Sequence, residues 1–196
     1  MYRNLLLASL MLLSACTSQP PQQQSLATTE KNTTLTAPPA DMAQIVFVRP
    51  SQGVLQQSDV ELYRISRERI PVAPIESGSK FSLDITPGHY YFMAYQNKTA
   101  NFIEANVIAG RRYFVLIDAA NSKSSQLMPL SQQRYSALNY QQLPLTTTAE
   151  IEQPQWFKKN QGKVKKSQIV YWQQWQMLDS NSRKALKVSK NSGIAF

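Results

Sequence analysis

The stretch KFSLDITPGHYYFMAYQ, Lys80 to Gln96, decides the fold class. Its first half alternates strictly, with Phe81, Leu83 and Ile85 on one side and Ser82 and Asp84 on the other. Successive side chains of a strand point to opposite faces, so this is a strand with one buried face. Pro87-Gly88 supplies a turn. From His89 to Gln96 a second strand runs with apolar and aromatic residues on both faces. Neither half carries the three- and four-residue recurrence of a helix.

Outward from this pair the same texture continues. Upstream, AQIVFVR (Ala43 to Arg49) is apolar on both faces and stops at Pro50, and DVELYRI (Asp59 to Ile65) follows. RIPVAPI carries Pro71 and Pro74, which remove ladder donors and suit only an edge strand or loop. Glu76-Ser77-Gly78-Ser79 reads as a tight turn. Downstream come Asn101 to Ile108, a break at Gly110, and Arg112 to Asp118. Six or seven strands at roughly ten-residue spacing predict a mainly β domain over 43–120, a small antiparallel sandwich. Residues 121–154 lose the rhythm and read as an irregular connection holding at most one further edge strand.

The amino-terminal end has another character. Arg3 is the sole charge before Glu30, and Leu5 to Leu13 is apolar except for Ser9. A membrane-crossing helix needs about 20 such residues. A basic start, a short apolar core and small residues after it are instead the layout of a secretory signal peptide, here 1–15. Leu13-Ser14-Ala15-Cys16 resembles the lipobox of bacterial lipoproteins. The resemblance implies that Cys16 is acylated and becomes the first residue of the mature chain, with Leu13, Ser14 and Ala15 read by the peptidase. An ordinary cleaved signal peptide would instead leave Cys16, the chain's single cysteine, as an unpaired thiol in an oxidising compartment. Thr17 stands where an aspartate would favour the inner membrane, which resembles the outer-membrane default, with the protein facing the periplasm. Residues 16–42, rich in Gln, Thr, Ser, Ala and Pro, are expected to form a flexible linker.

Charge gathers at the other end. From Thr146 to Phe196 nine basic residues face three acids, against ten and eight between Asp41 and Leu145. Ile169, Trp172, Trp175, Leu178, Ala185 and Leu186 recur at helical steps, predicting a helix from about Lys165 to Lys187, with a break near Ser180, inside a basic amphipathic tail spanning 155–196. Two readings compete for Lys158, Lys159, Lys163, Lys165, Lys166, Trp172 and Trp175. The tryptophans pack on the sandwich and the lysines are solvated, or the tail contacts a partner: an anionic membrane, peptidoglycan or an envelope protein. Nucleic acid is not an expected partner of an exported chain.

Three further motifs, Val46-Phe47-Val48-Arg49-Pro50, Thr86-Pro87-Gly88-His89 and Gly110-Arg111-Arg112-Tyr113-Phe114-Val115, together resemble an uncharacterised lipoprotein domain family over Ala43 to Ile117. That likeness implies a β-sandwich on a lipid anchor with no catalytic activity, and it brings no functional residues. The chain departs from the pattern between Arg67 and Ser79.

Catalytic chemistry finds little to stand on. His89 is the sole histidine, and no second one joins it to hold a metal. No Gly-x-Ser-x-Gly occurs, and a triad of His89 with Asp84 and a serine such as Ser77 or Ser79 has no favouring spacing. Asp84, Glu104 and Asp118 sit at strand positions expected to face solvent. The six glycines form no phosphate-binding loop, and no cofactor is implied. The expectation is a non-enzymatic binding or scaffolding lipoprotein, with a periplasmic hydrolase or peptidoglycan-acting enzyme as the alternative.

Overall fold

The computed structural model describes residues 32–51, 59–119, 124–147 and 155–196. The lipobox residues Leu13, Ser14, Ala15 and Cys16, and the linker up to residue 31, lie outside these described residues.

The protein is mainly β. In chain order the strands are β1 (Ala43–Arg49), β2 (Val60–Ile65), β3 (Arg69–Ile75), β4 (Ser79–Ile85), β5 (Gly88–Gln96), β6 (Thr99–Val107), β7 (Arg111–Asp118), β8 (Gln126–Leu130), β9 (Leu145–Thr147), β10 (Lys187–Val188) and β11 (Ile194–Ala195). The helices are α1 (Gln132–Ala137), α2 (Gln155–Gln176) and α3 (Ser180–Ala185). One sheet runs β11-β7-β1-β4-β9, with β8 also on β7; the other runs β10-β6-β5-β2-β3. Among the described residues, the seven strands over 43–120 are those expected, and four more lie beyond them.

The sheets face each other across one core. Ile45, Phe47, Phe81, Tyr113 and Val115 come from the first sheet, and Leu62, Phe92, Ala94, Ile103 and Ala105 from the second. The Pro87 turn hands the chain from β4 in one sheet to β5 in the other, so its two strands are not a hairpin. Hairpins occur within a sheet, as at Asn97-Lys98, where φ is 49° and 66° and both central residues take the positive φ of a type I′ turn. Gly78, with φ of 74°, serves the turn before β4, where a side chain would be strained.

The antiparallel expectation needs correction, because the sheets are mixed. β1 pairs β4 antiparallel but β7 parallel, in the register Phe47↔Val115. β4 with β9 and β6 with β10 are parallel too. Parallel neighbours need a long crossover, and the five strands between β1 and β7 supply one. The Pro71 and Pro74 strand, β3, is an edge, as its missing donors require.

Residues 32–42 also depart from expectation: they dock rather than belonging to a free linker. Leu35 packs against Val46, Val48, Phe114 and Leu116 on the outer face of the first sheet. The Thr36 carbonyl accepts from Gln44 Nε2 at 3.2 Å and Arg112 Nη2 at 2.7 Å, and the Asn32 carbonyl accepts from Leu145 N–H at 2.8 Å. Nor is the described part of 121–154 irregular. β8 extends the sheet, and Ser131 caps α1 by accepting from the Arg134 N–H. Tyr135 of α1 stacks on Phe114 with centroids 4.2 Å apart.

The resemblance motifs occupy structural positions. Arg49 is fully buried and donates to the Ile75 carbonyl at 2.5 Å. Gly110, at φ of 68°, donates its N–H to the Met42 carbonyl at 2.9 Å. The Tyr113 hydroxyl accepts from the Ile108 N–H and donates to the Lys190 carbonyl, both at 3.1 Å.

Candidate functional site

The second sheet is apolar on both faces, and α2 is the reason. Strand alternation sends Tyr90, Phe92 and Ala94 of β5 towards the intersheet core, and Tyr91, Met93 and Tyr95 to the opposite side. There they join Tyr63 and Phe102 beneath Phe157, Val164, Tyr171, Trp172 and Trp175 of α2. At 3.6 residues per turn those positions fall on one side of the helix. Trp172 and Trp175 stack at 5.0 Å with planes 16° apart, and each meets Tyr91 edge-on at 5.2 and 5.5 Å. Edge-to-face geometry adds to what area burial alone contributes.

Polar contacts fix the helix in register. Asn160 Nδ2 donates to Glu61 Oε1 at 2.9 Å, while the Tyr63 hydroxyl donates to the other oxygen of Glu61. Arg69 Nη1 donates to Gln168 Oε1 at 2.9 Å, and Ser167 Oγ to the Lys98 carbonyl at 2.7 Å. Burial, then the Glu61 hydrogen bond, drives the Tyr63 hydroxyl far above its ordinary value.

The helix begins ten residues earlier than expected and ends at Gln176. A break follows, and Asp179 caps α3 by accepting from the Asn181 and Ser182 N–H groups at 2.8 and 3.0 Å. Of the residues proposed for surface contact, the structure splits the set. Trp175 is 8% exposed and Trp172 half-buried, so both belong to the helix–sheet interface. That favours the first of the two readings for the tryptophans, which pack on the sandwich. Lys158, Lys163, Lys165 and Lys166 are exposed. Lys159 lies in α2, but its side chain is outside what the structure describes.

Elsewhere, His89 Nε2 meets Glu104 Oε1 at 2.8 Å, and Lys187 Nζ reaches the same oxygen at 2.5 Å. Burial raises Glu104, but hydrogen bonds and charge from Lys187 and His89 outweigh it and leave the carboxyl below its ordinary value. Glu104 is therefore engaged rather than simply facing solvent. Asp84 is exposed, as expected, and accepts at 2.9 Å from Gln44 Nε2 on the adjacent strand β1 of the same sheet. Ser79 Oγ donates within its turn, to the Glu76 carbonyl at 2.8 Å. Serine, histidine and aspartate are thus not brought together. Among the described residues no three of His, Cys, Asp and Glu converge on a metal position.

The sequence reading missed two buried cations. Arg49 is one; Lys80 is the other, fully buried, donating to the Gln141 carbonyl at 2.7 Å with its ammonium 5.9 Å from the Tyr135 ring centre. Burial, then Arg112, lowers Lys80 to about 8. Alternation placed Lys80 with Ser82 and Asp84 on the polar side of its strand; only the α1 segment that covers this face buries it.

Two recesses flank α2. One, of about 440 Å³, lies between α2, α3 and strands β6 and β8, lined by Phe102, Leu127, Gln174, Trp175 and Leu178. The other, of about 660 Å³, lies between α2 and the β2–β3 turn, where Arg67, Glu68, Lys165 and Ile169 meet.

No protein-family model and no curated protein matches this chain. Two solved structures are similar in part. One is a Bacteroides ovatus protein provisionally assigned to cell adhesion, 9% identical, covering 46% of this chain and 44% of that one with a TM-score of 0.31. The other is a Eubacterium rectale protein solved by NMR, 10% identical, covering 45% of this chain and 88% of that one, also at 0.31. At such scores neither bears on function.

Proposed function

We propose that this chain is a lipid-anchored envelope protein whose β-body acts as a binding or scaffolding module on the periplasmic side of the outer membrane. The carrying observation is Leu13-Ser14-Ala15-Cys16, a lipobox pattern directly after a short apolar run and holding the chain's one cysteine. Burying acyl chains stabilises membrane association by about 0.8 kcal/mol per CH₂, so two or three chains hold a protein firmly. The mechanism is presentation. Anchoring confines a folded body to a thin layer and raises its effective concentration for partners in the same layer.

Fractionating cells that express the chain and Cys16→Ser tests this reading. The wild-type chain is expected in the detergent-soluble outer-membrane fraction after a high-salt wash. The variant is expected to lose that partitioning and keep its apolar leader. Identical fractionation of the two would overturn the proposal.

A further inference from the structure

We propose that the outward face of α2 rests on an anionic phospholipid surface and orients the β-body against the membrane. The anchored reading is needed only to bring that surface within reach. The segment 155–176 holds five lysines and no acid. Lys158, Lys163, Lys165 and Lys166 are exposed, and none of them makes an ion pair among the described residues. Helical geometry sets Lys166 opposite Val164 and Trp175, which face the sheet, and Lys158, Lys163 and Lys165 on the flanks, about 100–120° round from Val164.

The same face is not purely polar. Ile169 and Val170, 53% and 51% exposed, each stand one turn beyond a lysine, Lys165 and Lys166. Met177, just past the helix end, is 83% exposed. The recess beside Lys165 and Ile169 brings in Arg67 and Arg69 against Glu68, so a basic excess continues on to the β2–β3 turn. Cations interspersed with aliphatics on the outside of a cylinder fit a flat, extended anion with an apolar layer beneath it. A polymer of sugars and peptides offers no such layer for the aliphatics.

Reach is sufficient. Fifteen residues lie between Cys16 and Asn32, so the sixteen steps span at most about 55 Å. Asn32 is fixed beside β9, at an edge of the first sheet. Crossing two sheets and a helix takes roughly 20–30 Å.

The test uses the full-length lipidated protein carrying Val170→Cys with a small environment-sensitive fluorophore. It is reconstituted in vesicles of phosphatidylcholine, or of phosphatidylcholine with phosphatidylglycerol, each holding a lipid-borne quencher. The wild-type chain treated with the same label reports whether the Cys16 thiol is free. Quenching is expected with phosphatidylglycerol and is reversed by salt. It is lost in K158Q/K163Q/K165Q/K166Q and kept in the matching arginine set. Each lysine near such a surface is worth about fivefold in occupancy, so four give on the order of a hundredfold or more. Equal quenching in both vesicles, none in either, or a label shielded only by added peptidoglycan would overturn the proposal. Flotation with phosphatidylcholine vesicles reads the anchor separately. A chain that floats without quenching removes the helix contact alone; one quenched by phosphatidylglycerol that does not float on phosphatidylcholine removes the anchor alone.

Discussion

Replacing Trp175 with alanine tests whether α2 is part of the folded body or an appendage to it. The side chain is 8% exposed and lies against Trp172, Tyr91 and Phe102, with centroids 5.0, 5.5 and 6.4 Å away. A buried tryptophan removes about 150–250 Å² from water, worth about 4–6 kcal/mol at 25 cal/mol per Å². Alanine keeps roughly 1 kcal/mol of that, so Trp175→Ala is expected to cost about 3–5 kcal/mol, the usual span for aromatic-to-alanine changes in cores. Urea titration followed by circular dichroism and by fluorescence reads the change, with both probes moving together. Trp175→Phe is the informative companion. The indole N–H has no hydrogen-bond partner among the described residues, so phenylalanine removes an unsatisfied donor along with ring area and is expected to cost only about 1–2 kcal/mol. Lys163→Ala, on the exposed face, serves as the reference and should stay within about 0.5 kcal/mol. A Trp175→Ala loss below about 1 kcal/mol, or probes that melt separately, would refute the claim that the helix is integral.

Three further outcomes follow from the packing and the charges. A Cβ on Gly193 would stand 2.6 Å from the ring of fully buried Tyr113, so Gly193→Ala is expected to cost about 1–3 kcal/mol by thermal melting; an unchanged Tm would show that the carboxy-terminal strand does not close over that ring. Burial lowers Lys80 to about 8 from its ordinary 10.5, so at this site the unfolded chain binds more protons and the Lys80 contribution to stability rises with pH. The rise is read between about 8 and 9, before the raised Tyr63, Tyr95 and Tyr135 oppose it near 10; Lys80→Met should lower that slope, and an identical slope in the variant would exclude Lys80 as its source. Glu104 is held below its ordinary 4.5 by Lys187 and His89 despite burial, so its contribution is complete above 4.5 and fades as pH falls through the lowered folded value; Glu104→Gln should flatten the acid limb, and an unaltered limb would place the cause elsewhere.

How much of this was legible before the structure varies by element. The Lys80–Gln96 stretch declares two strands because alternation is a local property, and the two prolines of β3 declare an edge because a missing donor is local too. Pairing is not local. Nothing in Val46 or Phe114 says that their strands lie side by side and parallel, since that choice is made by the whole path between them. The apolar double face of β5 was visible as a pattern, but what covers the second face lies some eighty residues further on. The first half of α2 was missed for a physical reason: between Trp156 and Ile169 its only apolar anchors are Phe157 and Val164, two helical turns apart, among lysines and glutamines. β10 and β11 are two residues each, too short for any periodicity, and form only because the preceding helices deliver them to sheet edges. For the candidate site, the lysines were named from composition, and the tryptophans beside them turned out to be what fastens the helix down. Deleting the chain from Gln155 is therefore a poor probe of surface contact, since it strips the cover from Tyr63, Met93 and Phe102 as well as removing charge.

The claim on which the functional account depends is covalent, and intact-mass spectrometry of the protein extracted from membranes measures it directly. The account predicts a chain beginning at Cys16 whose mass exceeds that of residues 16–196 by a diacylglyceryl group and an amide-linked acyl chain, released as fatty acids on hydrolysis. A polypeptide still carrying Met1 to Ala15, or one starting at Cys16 with an unmodified thiol, would contradict it.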